Sequence, residues 1–111
     1  MSKQWQAGSF VRLRQADLTW RELDGEIVAL DLATSVYVAT NKSGAVLWHV
    51  LREGATVDTL ARRLVEHFDI GVDQARRDVD GFLEVLAHHR LLDRGAVPAT
   101  TDGSESGGKP A

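Results

Sequence analysis

The chain has no cysteine. That excludes a disulfide framework, a thiol nucleophile and any zinc site built on thiolates. Its four histidines, His49, His67, His88 and His89, offer no His-x-x-x-His or His-Glu-x-x-His spacing. His88 and His89 are adjacent, so on a helix they diverge by about 100° and cannot chelate one ion together. No Gly-rich phosphate loop exists, and the Gly-Ser pieces near the C-terminus precede no helix. No apolar run approaches the ~20 residues of a membrane span. The opening MSKQWQAGSF lacks the apolar centre of a secretory signal. Net charge is −3 with both signs interspersed, a poor match to nucleic acid or to an anionic membrane surface. The expectations are no bound metal, no cofactor, no catalytic residues, no nucleic-acid or membrane partner, and a cytoplasmic location.

What is present suits one small domain. The chain has 111 residues, with 43% hydrophobic and 26% charged, ordinary for a globular fold. Residues 1–16 carry few regular signals and read as an N-terminal arm, partly ordered at best, although Phe10 to Arg14 alternates in the manner of a short strand. The domain is expected over residues 17–94. From Gly95 the text is GAVPATTDGSESGGKPA, whose composition cannot bury a core, so 95–111 reads as a disordered tail.

Three strand signals open the domain. Leu18 to Leu23 alternates, and Asp24-Gly25 is the pair that suits a two-residue type I′ hairpin. Glu26 to Leu32 forms the second strand. A turn at Ala33-Thr34 or Thr34-Ser35 leads to the third, Ser35 to Thr40. Helical periodicity follows. Ser43 is the expected cap of a helix bearing Val46, Leu47, Val50 and Leu51, with Trp48 on its flank, and Gly54 is its left-handed stop. Thr56 caps a second helix bearing Leu60, Ala61, Leu64, Val65 and Phe68. Asp73 or Val72 starts a third, with Ala75, Val79, Phe82, Leu83 and Leu86 on one face. The fold class is α+β: a three-stranded antiparallel meander followed by three helices, winged-helix-like in outline.

The third strand, short and uncharged, ends the meander and so offers unpaired N–H and C=O groups to an extended peptide. Ser35, Val36, Tyr37, Val38, Ala39 and Thr40 are therefore candidate peptide-binding residues. Beside the core stripe of the third helix runs a second flank, Asp78, Gly81, Val85 and His89. A glycine inside a helix costs ~1 kcal/mol relative to alanine, and at Gly81 a small residue can open a groove for another backbone. Core packing is the expected role of Trp20 and Trp48. The third helix also invites a DNA-recognition reading, but Arg76, Arg77 and Arg90 are outweighed there by Asp73, Asp78, Asp80 and Glu84.

Several short pieces, in order, resemble the PqqD family, the peptide-recognition domains of ribosomal peptide biosynthesis known as RiPP recognition elements. They are Leu30-Asp31, Tyr37, Asn41-x-x-Gly44, Leu47-Trp48 and Glu53-Gly54-x-Thr56. Phe68-Asp69-Ile70, Asp73, Asp78-Val79, Phe82-Leu83 and Leu91-Leu92 follow in the same order. The resemblance covers about Trp20 to Leu92. The chain departs from the pattern at Val38, often a second aromatic, and at Thr40, often leucine. The resemblance implies a non-catalytic adaptor that binds the leader of a precursor peptide and presents it to a modifying enzyme or leader protease. The leader would add as a strand beside the third strand and lie against the third helix. A free-standing chain of this length resembles the lasso-peptide leader-binding subunit. The alternatives are a radical-SAM-associated peptide chaperone of the same family and a winged-helix DNA-binding regulator. The family's Tyr37 position favours a core role for that ring.

Overall fold

Asp24 and Gly25 take positive φ angles of 54° and 79°, as a type I′ turn requires at both central residues. They join β2 (Leu18–Leu23) to β3 (Glu26–Asp31), with Leu23 opposite Glu26 and Leu18 opposite Asp31. These positions belong to a computed structural model that describes residues 5–93; the tail expected over 95–111 lies outside the described residues. The next connection is wider than a two-residue turn. Asp31 pairs with Val36, so Leu32, Ala33, Thr34 and Ser35 form the loop. Its reason is local: the Asp31 carboxylate accepts the Ala33 N–H at 3.0 Å, and the Asp31 carbonyl accepts the Ser35 N–H at 2.7 Å. Strand β4 (Val36–Ala39) completes a sheet of order β2-β3-β4.

Residues directly opposite in this register share a face. Leu18, Trp20, Ile27, Ala29, Val36 and Val38 lie on the inner face, and Thr19, Arg21, Val28, Leu30, Tyr37 and Ala39 on the outer one. Helices cover the inner face. Helix α1 (Lys42–Leu51) packs on β3. Its cap is Asn41, not Ser43: the Asn41 Oδ1 accepts the Gly44 N–H at 2.8 Å and the Ser43 hydroxyl at 3.0 Å. Ser43 already lies inside the helix, whereas Asn41 has the extended backbone a cap needs. Trp48 is fully buried at the centre of the core rather than on a flank, with Trp20 edge-on to it at 6.0 Å. Gly54 ends this segment at φ 99°, a conformation that favours glycine. Thr56 caps α2 (Val57–His67), its hydroxyl accepting the Thr59 N–H at 3.2 Å. Helix α3 (Val72–His88) packs on α2 and buries Ala75, Val79, Leu83 and Leu86. Burying each large aliphatic side chain contributes about 1.5–3 kcal/mol before entropy is counted.

The segment preceding β2 is stitched into this frame. Strand β1 (Phe10–Val11) pairs with β5 (Ala55–Thr56), and Leu13 bridges Leu92. Val11 and Leu13 are buried in the same core as Trp48. Arg14 donates to the carbonyls of Ala16 and Arg90, each at 3.0 Å, and to the carboxylate of Asp31 at 2.7 Å.

Candidate functional site

The sheet ends at β4, whose outer edge has no strand beside it among the described residues. Which of its groups face outward follows from one bond. The Thr40 N–H donates to the Ile27 carbonyl at 2.8 Å, and Ile27 and Thr40 continue the register of Val28 with Ala39. Main-chain groups alternate in direction along an antiparallel strand. Val36 and Val38 therefore turn their N–H and C=O toward β3, and Tyr37 and Ala39 turn theirs outward. Thr40 offers no free donor: its N–H is used, and its hydroxyl accepts from the Ile27 N–H at 3.1 Å and donates to the Asn41 carbonyl at 3.0 Å.

Two recesses flank the line between this edge and α3. One, of about 320 Å³, lies where α1 begins, with Asn41, Gly44, Leu47, Gly81, Phe82 and Val85 in its walls and Asp78 on its margin. A Cβ at Gly81 would meet nothing within 4 Å, whereas at Gly44 it would stand 2.8 Å from the Thr40 Cβ and 3.0 Å from the Phe82 ring. The two glycines thus have opposite uses. Gly44 lets α1 pack closely, and Gly81 leaves space unfilled. The second recess, of about 230 Å³, lies at the other end of β4, bounded by Asp31, Val36, Val38, His88, His89 and Arg90.

The expected site residues divide between these places. Val36 and Val38 line the second recess, Val36 partly exposed and Val38 buried as its floor. Asp78, Gly81 and Val85 line the first, and His89 the second. Ser35 sits in the loop at φ 62° with its N–H already bonded to Asp31. Ala39 is exposed on the edge. Tyr37 departs from the core role its family position suggested: it is 69% exposed, on the outer face of the sheet opposite Leu30. The alternation decides this, because Val38 is the neighbour that turns into the core. Sequence reasoning did not select Phe82, Asn41 or Asp31. All three stand in the pieces that resemble the family, Leu30-Asp31, Asn41-x-x-Gly44 and Phe82-Leu83, and Phe82 and Asn41 also adjoin the selected Gly81 and Thr40, so those were the available signals.

The electrostatics of the line are quiet. The Arg14 guanidinium beside Asp31 holds that carboxyl below its ordinary value, against the opposing effect of burial. On α3, Arg76 donates to Asp80 at 3.1 Å, and Gln74 links Arg77 and Asp78. Arg76 is thus paired with a carboxylate, whereas Arg77 meets only the neutral Gln74 amide. Among the described residues no group of three His, Asp or Glu side chains is placed to hold a metal ion, and no helix is long and apolar enough to cross a membrane. An open strand edge beside a partly apolar cleft can bind an extended chain by main-chain pairing, with pockets for alternate side chains.

Residues 26–92 match the family model described as coenzyme PQQ synthesis protein D (PqqD). Among solved structures, TbiB1 in complex with the TbiA(beta) leader peptide is similar, with a TM-score of 0.68 and 25% identity over 77% of this chain and 98% of that one. A lasso peptide synthetase B1 complexed with its leader peptide has the same fold, with a TM-score of 0.65 and 22% identity over 75% of this chain and 96% of that one. No curated protein matches the sequence significantly.

Proposed function

The chain belongs to the PqqD family, and on that footing we propose that it is a non-catalytic adaptor for the leader segment of a ribosomally made precursor peptide. The observation that carries this reading is the pairing of an open edge with an open cleft. Tyr37 and Ala39 direct main-chain groups outward, and Gly81 and Val85 on α3 border space that nothing fills. A leader added as a fourth strand would bond to Tyr37 and Ala39. Its side chains on the inner face would enter the two recesses, one against Val36 and Val38 and the other against Gly81 and Val85. His89 and Asp78 would border the two ends.

The similarity to TbiB1, a chain captured with a leader peptide, supports this mode. We place the chain in a lasso-peptide type of system, working in the cytoplasm beside a separate leader protease or modifying enzyme. The adaptor's contribution is to raise the effective concentration of the precursor at that enzyme. The test is titration of the full chain with the synthetic leader of the precursor encoded beside its gene. Saturable binding without cleavage or modification of the peptide is the expected result. Turnover by this chain alone, or no affinity for that leader, contradicts the proposal.

A further inference from the structure

We infer that the bound leader is read on both faces of the sheet, and that Tyr37 is the specificity-determining residue on the outer one. This rests on the leader-binding reading above and adds to it a contact that the cleft cannot make. Tyr37 is one of the two β4 residues whose main-chain groups point outward. The leader residue beside it therefore projects to the same face as the Tyr37 ring, whichever direction the leader runs. Beside Thr19 and Arg21 that face carries an apolar strip. Val28 and Leu30 are half-buried there, Ala39 is small, and Tyr37 stands 69% exposed. Beside the ring is a shallow hollow of about 390 Å³ bordered by Thr19, Arg21, Val28 and Leu30.

The Tyr37 ring stands between this hollow and the open edge of β4, so what meets its outer side is the strand added at that edge, the leader itself. A leader side chain at this position would pack on the phenol ring, with Leu30 as the next cross-strand neighbour. The chemistry that fits is a large apolar or aromatic residue, since aromatic and β-branched cross-strand pairs are the favourable ones. Leader positions of one parity then meet the cleft against α3, and a position of the opposite parity meets Tyr37. A leader read only by the cleft would show its determinants at even spacings alone.

The experiment is an alanine scan of the synthetic leader of the neighbouring precursor, titrated against the full chain and against its Tyr37→Thr and Tyr37→Phe variants. The site is exposed and threonine suits a strand, so both variants are expected to fold. With the wild type, at least one sensitive leader position should fall at an odd spacing from the others. Tyr37→Thr should weaken the parent leader by about three- to tenfold and abolish the sensitivity of that position, while Tyr37→Phe retains it. Sensitive positions of a single parity, or an odd-parity sensitivity that survives in Tyr37→Thr or disappears in Tyr37→Phe, overturn the inference while leaving leader binding intact. A leader that does not bind the wild type at all overturns both.

Discussion

Arg14 and Asp31, 17 residues apart, form an ion pair of 2.7 Å that fastens the segment before β2 to the last turn of the sheet. Asp31 is only 4% exposed, and it borders the recess beside Val36. Removing its partner strands a buried charge, which is more damaging than removing both groups. Arg14→Ala should therefore lower the melting temperature more than the double change with Asp31→Asn does, and calorimetry of the three proteins checks this.

The same pair gives a pH dependence with a definite sign. The folded-state pKa of Asp31 lies below the ordinary 3.8. The stability it contributes is therefore fully present above that value and is lost as pH falls through the folded pKa. The stability difference between wild type and Asp31→Asn should be constant from pH 7 to about pH 5 and shrink below the ordinary carboxylate range. Thermal scans down this series measure it. A difference that grows on acidification contradicts the assignment.

Two glycines should answer substitution in opposite directions. Gly44→Ala places a methyl group against Thr40 and Phe82, and overpacking of this kind costs about 1–3 kcal/mol. Gly81→Ala meets open space and should gain about 0.5–1 kcal/mol from helix propensity. Denaturant titration at constant m-value separates the two.

Gly81→Leu tests the cleft directly. The larger side chain should fill the space beside Phe82 and Val85, so leader affinity falls by about tenfold or more while the fold is at least as stable as the wild type. A stable variant with unchanged affinity would move the leader away from α3.

Proline distinguishes neighbouring residues on β4. The Val38 N–H faces β3 and its side chain is in the core, so Val38→Pro should unfold the sheet. The Ala39 N–H faces outward, so Ala39→Pro should keep the fold and remove one bond to the leader. A net value of ~0.5–1.5 kcal/mol for that bond corresponds to a loss of about two- to tenfold in affinity. Circular dichroism and leader titration on both variants give the comparison.

Much of this arrangement was legible in the chain itself. Asp24-Gly25 announced its turn because few other pairs tolerate two positive φ angles. The strands, the helices and the Thr56 cap followed from periodicity and capping chemistry. What was not legible depended on distant partners. Two polar residues, Asn41 and Ser43, compete near the start of α1, and only backbone conformation separates the cap from its helper. The depth of Trp48 depends on the approach of Trp20 and the sheet. The outward turn of Tyr37 depends on the register that the four-residue loop sets. At the site, Gly81 and the edge could be selected from sequence, while the recess beside Asp31 depends on the end of α3 bringing His88, His89 and Arg90 against Val36 and Val38.

The bridge of Leu13 to Leu92, with Arg12 paired to Asp93 at 2.8 Å, places the segment that leads into the sheet beside the one that follows the last helix, so the unit from Leu13 to Leu92 begins and ends at one place. A polypeptide whose entry and exit are neighbours is topologically portable. It can be spliced into a surface loop of a host enzyme without stretching either connection. The same geometry lets the adaptor act as a tethered cartridge or as a separate diffusing piece with no change in how it grips a strand.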